Sequence, residues 1–268
     1  MELFAYDFVQ RGLLTGVLVS VICGIVGVFL LLRRMAFFGA GLSHAAFGGI
    51  ALSMLLETEP FLFTAIFTVV IANVVQFLTS HKKVSGDGAI ALVFSGGVAL
   101  AVIILSVVRG FREHLFGFLF GSVLMVTEEE LLFTLALFFL VLLFLGIYYR
   151  KLILLSFSEE LAKLRGINVK LMNHTLVSVA SLVVVLSIKV VGVLLASSLL
   201  VIPSMTALLI ARSFKGTVIL SVLVAVISVL SGMYVALLFD LPPSGTIVGF
   251  TISLFALALL WRSSSLTI

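Results

Sequence analysis

The chain has 268 residues, of which 62% are hydrophobic and 10% charged, with a mean hydropathy of +1.38 and a formal net charge of +4. Soluble domains are typically about half apolar and about a quarter charged, so this composition excludes a soluble enzyme and points to lipid as the solvent. The basic excess is spread over loop ends rather than gathered into a patch, which argues against a nucleic-acid partner and for membrane orientation.

A spanning helix needs roughly 20 mostly apolar residues. The first ten residues carry Glu2 and Asp7 and lack a basic segment, so no cleavable signal is expected. Run 13–32 holds the lone cysteine, Cys23, which rules out an intrachain disulfide. Run 37–56 contains Gly41, His44, Gly48 and Ala51 at helical spacing. Such a face of small residues lets a neighbouring helix approach closely and turns the imidazole inward. Run 61–79 brings Asn73 and Gln76, for which packing is the favoured role, and run 89–108 follows. The piece 115–126 is too short to span and reads as re-entrant or interfacial. Glu128, Glu129 and Glu130 suit a helix start, ahead of run 131–149. Runs 175–188 and 190–211 join through Lys189, and Pro203 should kink or interrupt the second of them. Runs 218–239 and 244–261 complete an all-α polytopic bundle of about nine transmembrane helices, eight to ten being compatible with the pattern, in a single transmembrane domain over 1–268.

An outer N-terminus and nine crossings put the C-terminus in the cytoplasm. Of the 16 Lys and Arg residues, only Arg11, Arg109, Arg112 and Lys189 then fall outside, a clear positive-inside bias. No Asp, Glu or Arg lies mid-span, which tells against a proton-coupled pump with its own carboxylate relay. His44 is the ionisable side chain well inside a run. Imidazole ligates zinc and similar metals, but one histidine cannot make a site, and a histidine hydrogen-bonded to a neighbouring helix is the reading the bare sequence favours. His81, His114 and His174 sit at span ends and read as interfacial.

The cytoplasmic stretch from Arg150 to Asn173 is the sizeable charged segment. Ser156 and Glu159 have capping-box spacing, Lys163 and Arg165 suit a helix C-terminus, and Gly166 can take the left-handed conformation that ends it. Leu161 and Leu164 give this short helix, expected over 156–167, an apolar stripe for docking.

Five segments in order resemble the membrane permease subunits of bacterial zinc, manganese and iron ABC importers. They are Arg34-Met35-Ala36-Phe37-Phe38-Gly39 leading to Leu42-Ser43-His44; Leu119-Phe120-Gly121-Ser122-Val123-Leu124; Glu159-Glu160-Leu161-Ala162 through Arg165-Gly166-Ile167; Val191-Gly192-Val193-Leu194-Leu195 through Pro203 and Thr206-Ala207; and Leu241-Pro242 with Ser244-Gly245 and Ile247. The resemblance implies a non-enzymatic transport subunit in the bacterial cytoplasmic membrane. Its expected partners are a cytoplasmic ATPase that holds the ATP, an extracytoplasmic metal-binding protein, membrane lipid and a second permease copy, with a homodimer the expected form. No cofactor is expected on this chain; the divalent ion is cargo. His44 would lie on the ion path, with Ser43 and Pro203 along the pathway, and Glu159, Glu160, Leu161, Ala162, Leu164 and Gly166 would engage the ATPase.

Two departures stand out. The family often has Asp four residues before the histidine, on the same helix face, where this chain has Ala40, and Ser122 stands where Asp is usual. A larger metal chelate or cobalamin is therefore the alternative cargo. A secondary transporter suits the sequence less well, because the mid-span charges are missing. An intramembrane hydrolase suits it least, because Glu159 and Glu160 head a cytoplasmic helix.

Overall fold

The computed structural model describes residues 6–81, 84–107, 117–121, 123 and 126–265, without the side chains of 189, 194, 195, 264 and 265. In chain order the helices are α1 (Asp7–Leu32), α2 (Phe38–Leu55), α3 (Pro60–Ser80), α4 (Gly86–Val107), α5 (Glu128–Phe157), α6 (Glu159–Leu164), α7 (Val169–Ile210), α8 (Phe214–Phe239) and α9 (Pro243–Ser265).

Local chemistry sets their ends. Proline opens α3, where its missing N–H costs nothing, and the Glu59 carboxylate accepts from the N–H groups of Phe61 and Leu62. A reciprocal capping box of Thr127 and Glu130 starts α5 at the acidic run. Asn168 caps α7 and Ser213 caps α8.

Among the described residues, eight segments are long and apolar enough to cross a bilayer, and they include Val169–Ile188 as the first part of α7. The remainder of α7 is the shorter apolar helix Ala196–Ile210. Sequence runs 175–188 and 190–211 are therefore not two equivalent spans. Between the two parts Gly192 adopts φ 78° and ψ 168°, outside the helical region.

The contacts of α7 show that the chain turns back there. Asn173 bonds Arg33 at the end of α1. Val190 lies beside Gly16, and Leu200 beside Gly27. Residues 173–190 thus run away from Arg33, and 190–200 return along α1. The interruption expected at Pro203 falls instead at Gly192, and helical dihedrals continue through the proline.

One end of the bundle collects Arg33, the short helix α6, the start of α7 and Phe214, whose ring packs on Phe29, Tyr149 and Phe157. Arg34, Arg150, Lys151, Lys163, Arg165, Lys170, Arg212 and Lys215 border that end, which is cytoplasmic by the positive-inside bias. By the same bias the start of α1 would face outside and the end of α9 the cytoplasm.

The core is built where small residues let helices meet. α1 packs on α7 and α8, while α2 packs on α4, α3 and α7. Ser221 donates to the Gly24 carbonyl at 2.8 Å and sits 3.1 Å from the Ser204 hydroxyl, so buried hydroxyls link α8, α1 and the returning part of α7. In a bilayer such interhelical bonds contribute about 0.6 kcal/mol each, and close packing carries most of the stability.

Candidate functional site

The small-residue face expected on α2 is present, and α4 is the helix that uses it. Gly41 meets Ile90, and a Cβ on Gly48 would lie 2.8 Å from the Gly97 carbonyl oxygen. Between these contacts the His44 ring tilts against Phe94, with ring centroids 4.0 Å apart. His44 is half-buried, and Ala40 lies one turn earlier on α2. Ser43 is fully buried and donates to the Gly39 carbonyl at 2.8 Å, so its hydroxyl is occupied within α2. Pro203 is buried within α7. Among the described residues no three His, Cys, Asp or Glu side chains come together. The α2–α4 contact thus presents the His44 imidazole with an aromatic ring beside it. Ser122 and His114 lie outside the described residues.

Towards the cytoplasm, a cavity of about 580 Å³ opens among α1, α2, α3, α4, α6 and α7. Phe38, Gln76, Ile90, Asp87 and Lys170 are among the residues that line it. Phe38 and Ile90 stand roughly one to two helical turns from His44 and Phe94, so the cavity lies beneath the His44 layer. Asn73 has a packing role: its amide donates to Ser178 Oγ at 2.8 Å, and its carbonyl oxygen accepts from His174 Nδ1 at 2.8 Å. His81 Nδ1 is 2.8 Å from the Phe77 carbonyl.

The short cytoplasmic helix is present with different bounds and a different cap. α5 runs on through Phe157, and Ser156 donates to the Leu152 carbonyl within it. Ser158, not Ser156, caps α6 by accepting from the Leu161 N–H at 3.2 Å. The far end follows the sequence expectation. Lys163 lies in the last turn, Gly166 takes φ +72°, and its N–H donates to the Lys163 carbonyl.

The two faces of α6 differ. Ala162 is fully buried, whereas Leu161 and Leu164 are 53% and 84% exposed, and Phe157 just before the helix is 67% exposed. Glu160 is also exposed. Glu159 is exposed too, but its carboxylate is paired: Arg33 Nη2 donates to it at 2.7 Å. Burial lowers the Arg33 pKa from its usual value, and the Glu159 carboxylate opposes that shift. Arg33 entered the sequence reading as one inner basic residue among others, since its partner lies 126 positions away.

A second feature escaped sequence reasoning although both of its residues sit in quoted motifs. Gly121 and Gly192 both have positive φ, at 77° and 78°, and their backbones cross. A Cβ on Gly121 would lie 2.6 Å from the Gly192 nitrogen. The short outer segment is thereby set against the break in α7, with Val123 and Val126 buried beside it.

The profile of the ABC 3 transport family matches residues 5–262, nearly the whole chain. This chain belongs to that family. It is 32% identical over 257 residues to the manganese transport system membrane protein MntC of Halalkalibacterium halodurans, covering 96% of this chain and 88% of that one. It is 31% identical over 257 residues to the high-affinity zinc uptake system membrane protein ZnuB of Haemophilus influenzae, covering 96% and 98%. Among solved structures, PsaBC from Streptococcus pneumoniae in complex with a Fab superimposes with a TM-score of 0.85 at 30% identity, covering 94% of this chain and 91% of that one. The family assignment and the eight apolar helices together make this a multi-pass membrane protein.

Proposed function

We propose that this chain is the permease subunit of an ATP-driven importer for divalent transition-metal ions: zinc, manganese or iron. It takes the ion from an extracytoplasmic binding protein and releases it to the cytoplasm. The observation that carries the reading is membership of the ABC 3 transport family over nearly the full length, with relatives named for manganese and zinc transport systems. On this reading the chain performs no reaction of its own, and ATP is hydrolysed by a separate cytoplasmic subunit. The exposed Leu161, Leu164 and Glu160 on α6 suit a groove on that subunit.

His44 is the proposed contact with the passing ion. Neutral imidazole is a good ligand for borderline divalent metals. With Ala40 in place of a carboxylate, a second permease copy in a homodimer in the bacterial cytoplasmic membrane would supply further ligands. Glu160 and the leucines of α6 would carry the ATPase, while Ala162, Ser43 and Pro203 are packed inside and act by shaping the helices that move.

The test is ATP-dependent uptake of zinc, manganese and iron into proteoliposomes containing the permease, its ATPase and its binding protein, with wild type and His44→Ala. Uptake of one ion by wild type, lost in the variant, is the expected result. Uptake of none of the three with ATPase turnover intact would overturn the ion assignment in favour of a larger chelate. Full uptake by His44→Ala would remove His44 from the path.

A further inference from the structure

We propose that Arg33 is the positioning residue that transmits movement of α6 into α1 and α7, an inference that rests on reading α6 as the ATPase-docking helix. Three separate stretches of chain meet on one carboxylate oxygen. Arg33, the residue that ends α1, donates through Nη2 to Glu159 Oε1 at 2.7 Å. Through Nη1 it donates to Asn173 Oδ1 at 2.6 Å. The Asn173 amide donates in turn to the same Glu159 oxygen at 3.3 Å. Glu159 is the first residue of α6, and Asn173 lies in the second turn of α7.

The geometry makes this a directional link. A guanidinium is a rigid planar fork, and charge-assisted bonds of this length are the stronger class of hydrogen bond. Displacing Glu159 therefore moves Arg33 and Asn173 together, where a flexible lysine would swing. The Arg33 side chain is 12% exposed and that of Glu159 48% exposed. The pair is firmly seated on the bundle side, yet water on the other side lets it shift without stranding a buried charge. Arg33 is held at this point by the backbone, because Arg34 turns the chain through a left-handed conformation at φ 58°.

Both recipients lead to the proposed ion path. The returning part of α7 lies on α1 at Gly27 and on α2 at Gly39, where Ser197 and Leu200 make the contact, one to two turns from His44. His174, next to Asn173, adds a bond to α3 through Asn73. Glu160, Leu161 and Leu164 are exposed on α6. Adjacent glutamates on α6 thus divide the work: Glu160 faces the partner, and Glu159 faces the bundle.

The experiment uses the permease assembled with its ATPase and binding protein in proteoliposomes. It measures ATPase co-purification, ATP turnover and ions taken up per ATP. Arg33→Gln should retain the ATPase yet lower the ions moved per ATP roughly tenfold, within the range usual for coupling between two sites. Glu159→Gln, which preserves shape, should fall in the same direction. The swapped pair Arg33→Glu with Glu159→Arg should recover most of the ratio, which a general loss of stability would not allow. Wild-type coupling in Arg33→Gln, or no recovery in the swapped pair, overturns the proposal. So does loss of ATPase binding in Arg33→Gln, which would make the node a docking scaffold. Glu160→Arg tests the underlying reading separately: it should lose the ATPase, and normal binding and uptake in that variant would remove α6 from docking whatever Arg33 does.

Discussion

Helices α1 and α4 are about equally apolar, yet 67% of the most apolar stretch of α1 is buried and only 22% of that of α4. In water such sequences would both be driven inside. In lipid, apolarity no longer chooses between protein and solvent, because acyl chains are as apolar as leucine. What differs is the size and polarity of the faces. α1 buries Gly12, Thr15, Gly16, Ser20, Gly24 and Gly27, whereas α4 buries a narrow stripe of Ala89, Gly97, Ala101 and Ile104 and exposes Leu92, Val102, Ile103 and Val107. Partners inside a membrane are selected by where backbones can touch, and the bulky face is left for lipid or for a second copy of the chain.

The largest effect expected from that rule is at Gly192, where backbone touches backbone in a left-handed conformation. A Cβ there would overlap the Leu119 carbonyl oxygen and lie 2.6 Å from the Phe120 carbonyl carbon. Neither neighbour is the flexible end of a side chain. Gly192→Val combines this overlap with backbone strain at φ +78° and is expected to cost on the order of 4 kcal/mol or more. The variant should yield little monodisperse permease by fluorescence-detected size exclusion. A normal yield and melting temperature would show that the crossing with Gly121 is not needed for the fold.

The next prediction compares neighbours on α4. A Cβ at Gly97 would lie 2.7 Å from the Ala45 backbone, whereas nothing stands within 4 Å of one at Gly96. Gly97→Leu should force α4 off α2 and destabilise by about 1–3 kcal/mol, the usual cost of overpacking. Gly96→Leu should stay within about 0.5 kcal/mol, as substitutions away from packed contacts do. Melting temperatures of the two purified variants give the comparison directly. Equal effects would mean that the α2–α4 contact is not selected by small residues.

The same rule explains what was legible in the sequence. The long apolar segments, the small face around His44 and the glycine that ends α6 all follow from local pattern, because length, apolarity and backbone freedom are properties of a few adjacent residues. The break at Gly192 is different. The chain has 22 glycines, and the sign of φ at this one is fixed by a crossing with Gly121, which no local pattern reports. Pro203 offered the louder local signal and was the weaker structural event. Arg33 was hidden for the same reason, since its importance lies in partners brought to it by α6 and α7. Thr127 was readable all along: Thr127-x-x-Glu130 has the spacing that the acidic run, read only for its charge, obscured.

The smallest expected effect concerns the start of α6, where local pattern offered two serines and tertiary contact chose between them. Ser156 has the spacing of a capping box with Glu159, but α5 does not end there. It continues through Phe157, whose ring reaches Phe214 at the foot of α8 with centroids 6.4 Å apart, and this leaves Ser158 as the first residue with extended backbone, at φ −158°. The Ser158 hydroxyl accepts from the Leu161 N–H, while the Ser156 hydroxyl is spent on the Leu152 carbonyl inside α5. Ser158→Ala should therefore cost about 1 kcal/mol of local stability at α6, the usual worth of such a cap, and Ser156→Ala almost nothing. Hydrogen exchange at residues 159–164 separates the two: faster exchange in Ser158→Ala alone is expected. Faster exchange in Ser156→Ala alone would restore the capping box and shorten α5, and it would move Glu159 off the turn that presents it to Arg33.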